Sequence, residues 1–153
     1  VTTKTPALLA ALAAAPQEGE TVTTATWGGR YTWPDGLAIE VSRPVPCTPG
    51  QYAVPTGIKQ AVKVTIKVVN GSKETVNATL LTVGNNAQHG GKAAEAVFDS
   101  SGGCGSGGEM GDVLPGKVFE TAQSYSVGAE PGDLQITFQP TFSSAKAIYV
   151  GQA

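Results

Sequence analysis

Hydrophobic residues recur at every second position along most of this chain, and past the first nineteen residues no helical spacing persists. The clearest case is Gln60 to Val69, where Val62, Val64, Ile66 and Val68 alternate with Lys63, Thr65 and Lys67. Side chains two apart on a strand share a face, so this segment reads as a strand with one face on a core and one in water. It runs into Asn70-Gly71, a strong hairpin signal because a type I′ turn needs φ > 0 at both central residues. Val76 to Val83 is the expected partner. Leu37, Ile39 and Val41 alternate with Ala38, Glu40 and Ser42 in the same way. Shorter strands are expected over Thr21–Trp27, Arg30–Trp33, Ala93–Phe98, Val118–Val127, Leu134–Phe138 and Ala147–Val150.

Turn chemistry separates these runs. Trp33-Pro34-Asp35-Gly36 puts Pro and Asp at central turn positions with Gly closing. Leu114-Pro115-Gly116-Lys117 and Glu130-Pro131-Gly132-Asp133 read as type II turns. Gly84–Gly91 and Asp99–Gly111 read as loops. No helix is long enough to serve as a crossover between parallel strands. The expectation is an all-β chain: an immunoglobulin-like antiparallel β-sandwich of about eight strands over residues 20–153. The Cys…Trp…Cys staple of antibody domains is absent, so the likeness is one of architecture. Residues 1–19 hold Ala7 to Ala15 between Pro6 and Pro16, a short Ala-rich helix or tether, with the end of a signal peptide as the other reading.

Composition sharpens this picture at three points. A length of 153 residues suits one domain with a core of its own. Only 14% of residues are charged, against about 25% in ordinary domains, so the surface is largely Thr, Ser, Gln, Asn and Gly. Net charge is −2 with no basic block, which removes the electrostatic footprint of a nucleic-acid binder. No apolar run reaches the length of a transmembrane span. The two cysteines, Cys47 and Cys104, sit among Pro, Thr and Gly in loop-like surroundings rather than in strand cores. That setting argues for one disulfide and an oxidising compartment, with two unpaired thiols as the alternative.

Catalytic groups are scarce. His89, the single histidine, lies among Asn and Gly, where a solvated loop residue is the expectation. No serine stands in a nucleophile elbow to join it. One histidine and two bonded cysteines do not make a zinc site. Gly103 to Gly108 matches G-x-G-x-x-G, but the motif binds phosphate only when it opens a helix, and none follows. Asp99, Glu109 and Asp112 could gather around calcium, although their spacing fits no calcium loop. Asn70-Gly71-Ser72 and Asn77-Ala78-Thr79 fit the glycosylation pattern. The reading is therefore no catalytic residue, no metal and no cofactor. The aromatics are the remaining lead: Tyr31, Trp33 and Tyr52 lie close to the Pro-rich stretch Pro44–Pro55. Core packing is the default for them. An exposed Tyr31/Trp33 face on an edge strand would be an interaction surface.

Arg30-Tyr31-Thr32-Trp33-Pro34-Asp35-Gly36-Leu37, followed by an alternating strand that ends in Ser42-Arg43-Pro44, resembles the extracytoplasmic immunoglobulin-like domains of actinobacterial lipoproteins. These belong to the DUF4352-like, telokin-like group, with the mycobacterial secreted antigens as structural kin. Val64 to Gly71, Val97-Phe98-Asp99-Ser100, Val113 to Lys117 and Ala147 to Gly151 carry the likeness on, so that it spans roughly Glu20 to Gln152. The resemblance implies a secreted or tethered sandwich with no assigned activity and no ligand residues to carry over. No lipobox cysteine precedes the domain in these residues, so a lipid anchor is not carried over either. The functional expectation is a non-enzymatic binding module outside the cytoplasm, extracellular or in the cell envelope, with a protein partner. The alternative is a structural subunit of an envelope complex or virion that docks through residues 1–19.

Overall fold

The computed structural model describes residues 22–78, 87–100, 102–105, 111–141 and 144–153. The Ala7–Ala15 segment lies outside them. Alternation becomes strand at β1 (Val22–Ala25), β2 (Arg30–Thr32), β3 (Leu37–Val41), β5 (Ala61–Asn70), β11 (Val118–Ser126), β12 (Asp133–Phe138) and β13 (Lys146–Gln152). Six short strands join these: β4 (Val45–Cys47), β6 (Val76–Asn77), β7 (Ala87–His89), β8 (Lys92–Ala93), β9 (Ala96–Val97) and β10 (Asp112–Val113). Of the expected Val76–Val83 strand, Val76–Asn77 is strand and 79–83 lie outside the described residues, while the expected Ala93–Phe98 strand is broken at Ala94–Glu95.

Two sheets face each other. One has the order β1-β13-β12-β7-β8; the other runs β2-β3-β5-β11-β9, with β4 continuing alongside β5 beyond β3. β6 and β10 form a separate ribbon. Between the sheets lies the core, built from one alternating face of each long strand: Ile39, Val64 and Ile66 from one sheet, Leu134, Ile136 and Phe138 from the other. Each such side chain, fully buried, contributes roughly 1.5–3 kcal/mol. The chain is thus an all-β sandwich. It departs from a purely antiparallel one at β1, which pairs parallel to β13.

Tyr149 ties the two sheets together. Its ring packs edge to face on Phe138 from its place on β13, while its hydroxyl reaches the carbonyls of Gly29 (2.7 Å) and Ile39 (3.0 Å) in the opposite sheet. Burial of that phenol pushes its pKa up to about 12.

Two turn expectations fail for the same reason. Neither Asn70 nor Gly71 has positive φ, so no type I′ hairpin forms. β5 pairs with β3, β4 and β11, and β6 goes to β10. Asn70 is instead buried, its side-chain amide donating to the carbonyls of Glu74 and Val113. That amide is consequently closed to glycosylation in the folded chain. Gly132 likewise keeps a negative φ. Its carbonyl accepts from the Ala153 N–H, and a β-carbon there would press on Gly90. Tertiary partners outcompete the local turn in both places. The Leu114–Lys117 turn does form, with Gly116 at φ +79° and the Lys117 N–H bonded to the Leu114 carbonyl.

Candidate functional site

Pro44, Pro46, Pro49 and Pro55 remove backbone donors from the stretch after β3, so it cannot run as a central strand. It becomes a lid instead. β4 pairs Cys47 with Ala61 at the start of β5, and the chain then folds over the outer face of that sheet. The outer face is the one that carries Ala61, Ser124 and Val97, which alternate with the core-facing Val62 and Tyr125. Ala53, Ala61, Val97 and Cys104 make a small second cluster there, with Cys47 and Ile58 packed against it.

This cluster is too small to hold a loop in place by burial, and covalent and polar ties supplement it. Cys47 and Cys104 are joined by the expected disulfide (S–S 2.04 Å, Cα–Cα 5.2 Å), although Cys47 closes strand β4 rather than lying in a loop and Cys104 is buried in the second cluster. The Gly103 N–H bonds to the Thr48 carbonyl at 3.1 Å, and the Ser124 hydroxyl donates to the Cys104 carbonyl at 2.8 Å. Asp99 completes the set. Only 4% exposed, it accepts through Oδ2 from the N–H groups of Gly50 and Cys104, both at 3.0 Å. One carboxylate thereby binds the 47–50 and 102–105 segments together, with the added strength of a charged acceptor. Gly102 is required beside it, since any β-carbon would collide with both carboxylate oxygens and the Gly50 nitrogen. Asp99 Oδ1 is buried and has no hydrogen-bond partner among the described residues.

The lid carries an exposed apolar crest. Val54 and Phe98 form an isolated antiparallel bridge through two N–H···O=C bonds of 2.8 Å, so their side chains stand side by side. They are 56% and 68% exposed, and Tyr52, two residues before Val54, is 74% exposed. Val45 on β4 is also exposed. The Val54–Pro55 peptide is cis.

The aromatic expectation therefore divides. Tyr52 is a surface residue. Trp33 is not: it is 3% exposed, with its indole N–H donating to the Ala145 carbonyl at 2.8 Å. Tyr31 lies opposite Ile39, is half-buried, and packs edge to face on Trp33 at 4.9 Å. An exposed Tyr31/Trp33 face does not exist, because the inward face of β2 is the aromatic one. Val54 and Phe98 were missed. Phe98 ends a run in which Ala94, Ala96 and Phe98 compete with Val97 for the dry side, so alternation could not orient it.

The remaining candidates scatter. His89 belongs to β7 rather than to a solvated loop and is 7% exposed. It faces Leu134 across the strands, and its Nδ1 accepts from the Gly128 N–H at 3.2 Å. Its Nε2 has no hydrogen-bond partner among the described residues. Asp112 lies on β10 opposite Asn77, away from the buried Asp99, while Glu109, Thr79 and Gly108 fall outside the described residues. Among the described residues no three His, Cys, Asp or Glu side chains converge as metal ligands, and no helix is long and apolar enough to cross a membrane.

Neither a protein-family model nor a curated protein sequence matches the chain. Solved structures do match in fold. A secreted protein of Mycobacterium tuberculosis, MPT63, superposes with a TM-score of 0.61 at 15% identity, over 85% of this chain and 98% of that one. The ycdA protein of Bacillus subtilis, named as a candidate lipoprotein, gives 0.59 at 12% identity over 74% of this chain. This chain spans 36% of the length of that protein. The yjhA protein of Bacillus subtilis gives 0.55 at 13% identity, over 78% and 83% of the two chains. At such identities the likeness establishes the β-sandwich fold.

Proposed function

We propose that the chain is a non-enzymatic binding module that works outside the cytoplasm, with the Tyr52–Val54–Phe98 crest as its recognition surface. The observation that carries this reading is the contrast between the crest and its support. Three large apolar side chains stand in water on a loop that is anchored by a disulfide, a buried carboxylate and a backbone bridge. Exposed apolar groups on a rigid mount are the usual make-up of an interface, since a preorganised anchor loses little entropy on binding.

The disulfide supports an oxidising compartment, and the fold's likeness to a secreted protein and a candidate lipoprotein agrees. The sequence resemblance to the actinobacterial DUF4352-like domains fits the same reading. The placing of the single histidine and of the buried aspartate supports a non-enzymatic role. His89 Nδ1 is taken up by a backbone N–H, and Asp99 is locked under the lid.

Retention of the oxidised full chain on isolated Gram-positive cell envelopes tests this reading. Tyr52→Ser with Phe98→Ser should abolish retention. Val118→Ser should leave it intact, because Val118 pairs with Val69 at the far end of β5, about 25 Å from Ala61 along a strand rising ~3.3 Å per residue. Equal retention of both variants would remove the crest from the function.

A further inference from the structure

Building on the binding reading above, we infer that the surface met by the crest is an anionic lipid bilayer. The first support is charge. Between Glu40 and Glu74 the chain has no acidic residue, yet that stretch holds five of its ten lysines and arginines. Arg43, Lys59 and Lys63 belong to the lid end of it. Lys59 follows Ile58, which packs beneath the lid. Lys63 stands on the outer face between Val45 and Ser124, and the Ser124 hydroxyl bonds to the Cys104 carbonyl. Arg43 precedes β4, two residues before the exposed Val45.

None of these three cations has an ion-pair partner among the described residues. Elsewhere on the same sheet Arg30 pairs with Glu40, and Lys67 has acids, Glu40 and Glu120, as its cross-strand neighbours. The acid within the lid, Asp99, is buried and turned onto backbone N–H groups. The exposed acid nearest in sequence to Phe98 is Glu95, on the connection from β8 to β9. The strand and loops that carry the lid thus hold three cations without an ion-pair partner among the described residues, whereas the cation at the β2 edge of the same sheet is paired.

The second support is the placement of the apolar groups. Tyr52, Val54 and Phe98 project from loop and bridge positions instead of forming one broad strand face. Aromatic and aliphatic tips with a collar of Lys and Arg match a membrane interface. The tips enter the headgroup boundary, the Tyr hydroxyl stays at headgroup level, and the cations meet lipid phosphates. A protein partner is the other possible occupant of an apolar crest. A cationic collar without exposed acids in its own sequence is better matched by a uniformly anionic surface than by a mixed-charge one.

Sedimentation of the oxidised full chain with phosphatidylcholine vesicles, with and without phosphatidylglycerol, tests the inference. Binding should require phosphatidylglycerol and fall away in high salt. Lys59→Gln and Lys63→Gln should each weaken it about fivefold, the equivalent of roughly one headgroup contact. Tyr52→Ser with Phe98→Ser should weaken it at least tenfold, with melting temperatures held to confirm that each variant folds. No binding to the anionic vesicles would overturn the inference, and so would binding that the crest and collar variants leave unchanged. If vesicle binding fails while crest-dependent retention on envelopes survives, the lipid inference falls and the binding reading stands with a protein as ligand.

Discussion

The two apolar clusters of this molecule are held by different means. Between the sheets, long alternating strands bury a continuous core from both sides. Over the outer face, the lid cluster consists of Ala53, Ala61, Val97 and Cys104, with two further residues against it. Three small or medium side chains and a cysteine cannot offset the entropy of ordering so long a loop. The disulfide and the Asp99 carboxylate supply the difference. The core is self-sufficient, whereas the lid is tied down, and the lid carries the two most exposed large apolar groups among the described residues, Tyr52 and Phe98. A loop whose stability comes from ties can afford an apolar exterior, because its fold does not depend on burying every hydrophobic side chain it has.

Breaking the tie should separate the two regions most sharply. Removing the disulfide by Cys47→Ala with Cys104→Ala should cost about 4 kcal/mol for a sequence separation of 57 residues. Limited proteolysis should then cut within 48–58 or 99–105 while the sheets stay resistant. Resistance throughout would mean that the lid holds itself. In the core, Leu134→Ala should cost about 3 kcal/mol, read as a fall in the denaturant midpoint. Its proteolysis pattern should show no preferential cutting in the lid.

A finer test is Asp99→Ala. It leaves the half-buried Gly50 and buried Cys104 N–H groups without their acceptor, and about 2 kcal/mol should be lost. Amide exchange should rise in the lid and stay unchanged in β12 and β13. The smallest effect belongs to the inter-sheet tie. Tyr149→Phe should cost about 1 kcal/mol.

The same side chain sets an alkaline limit. Its folded pKa, about 12, lies above the ordinary 10.0, so the neutral phenol stabilises the fold. That contribution is complete below pH 10 and is lost as pH rises through 12. An absorbance titration should show a late phenolate step that Tyr149→Phe removes. Loss of this step without the mutation would place the hydroxyl in water.

Much of the fold was legible in particular residues. Val62, Val64, Ile66 and Val68 defined β5, and Leu37, Ile39 and Val41 defined β3, because period two is a local property that any reader of the chain can count. β7 was read as loop because Ala87-Gln88-His89 is too short and polar to show a period. It becomes strand by pairing with β12, which no local signal announces. Of the candidate site, the pairing of Cys47 with Cys104 was legible from their Pro- and Gly-rich neighbours, whereas Tyr52 stood only as one aromatic among several with core packing as the default. Phe98, Val54 and the role of Asp99 were not, since each depends on what a distant segment places against it.

By itself, the sequence determined the class of the protein: the alternation of side chains, the turn residues at Trp33–Gly36 and Leu114–Lys117, and the loop cysteines. These are local consequences of backbone geometry and side-chain shape. Only the tertiary structure decided which alternating face was dry at β2, sending Trp33 inward, and which sheet surface the Pro-rich stretch would cover. It also decided that Asn70 would bind distant carbonyls in place of forming a hairpin. Those outcomes turn on contacts between segments far apart in the chain, where the free energy of burial and of satisfying buried polar groups exceeds any local preference.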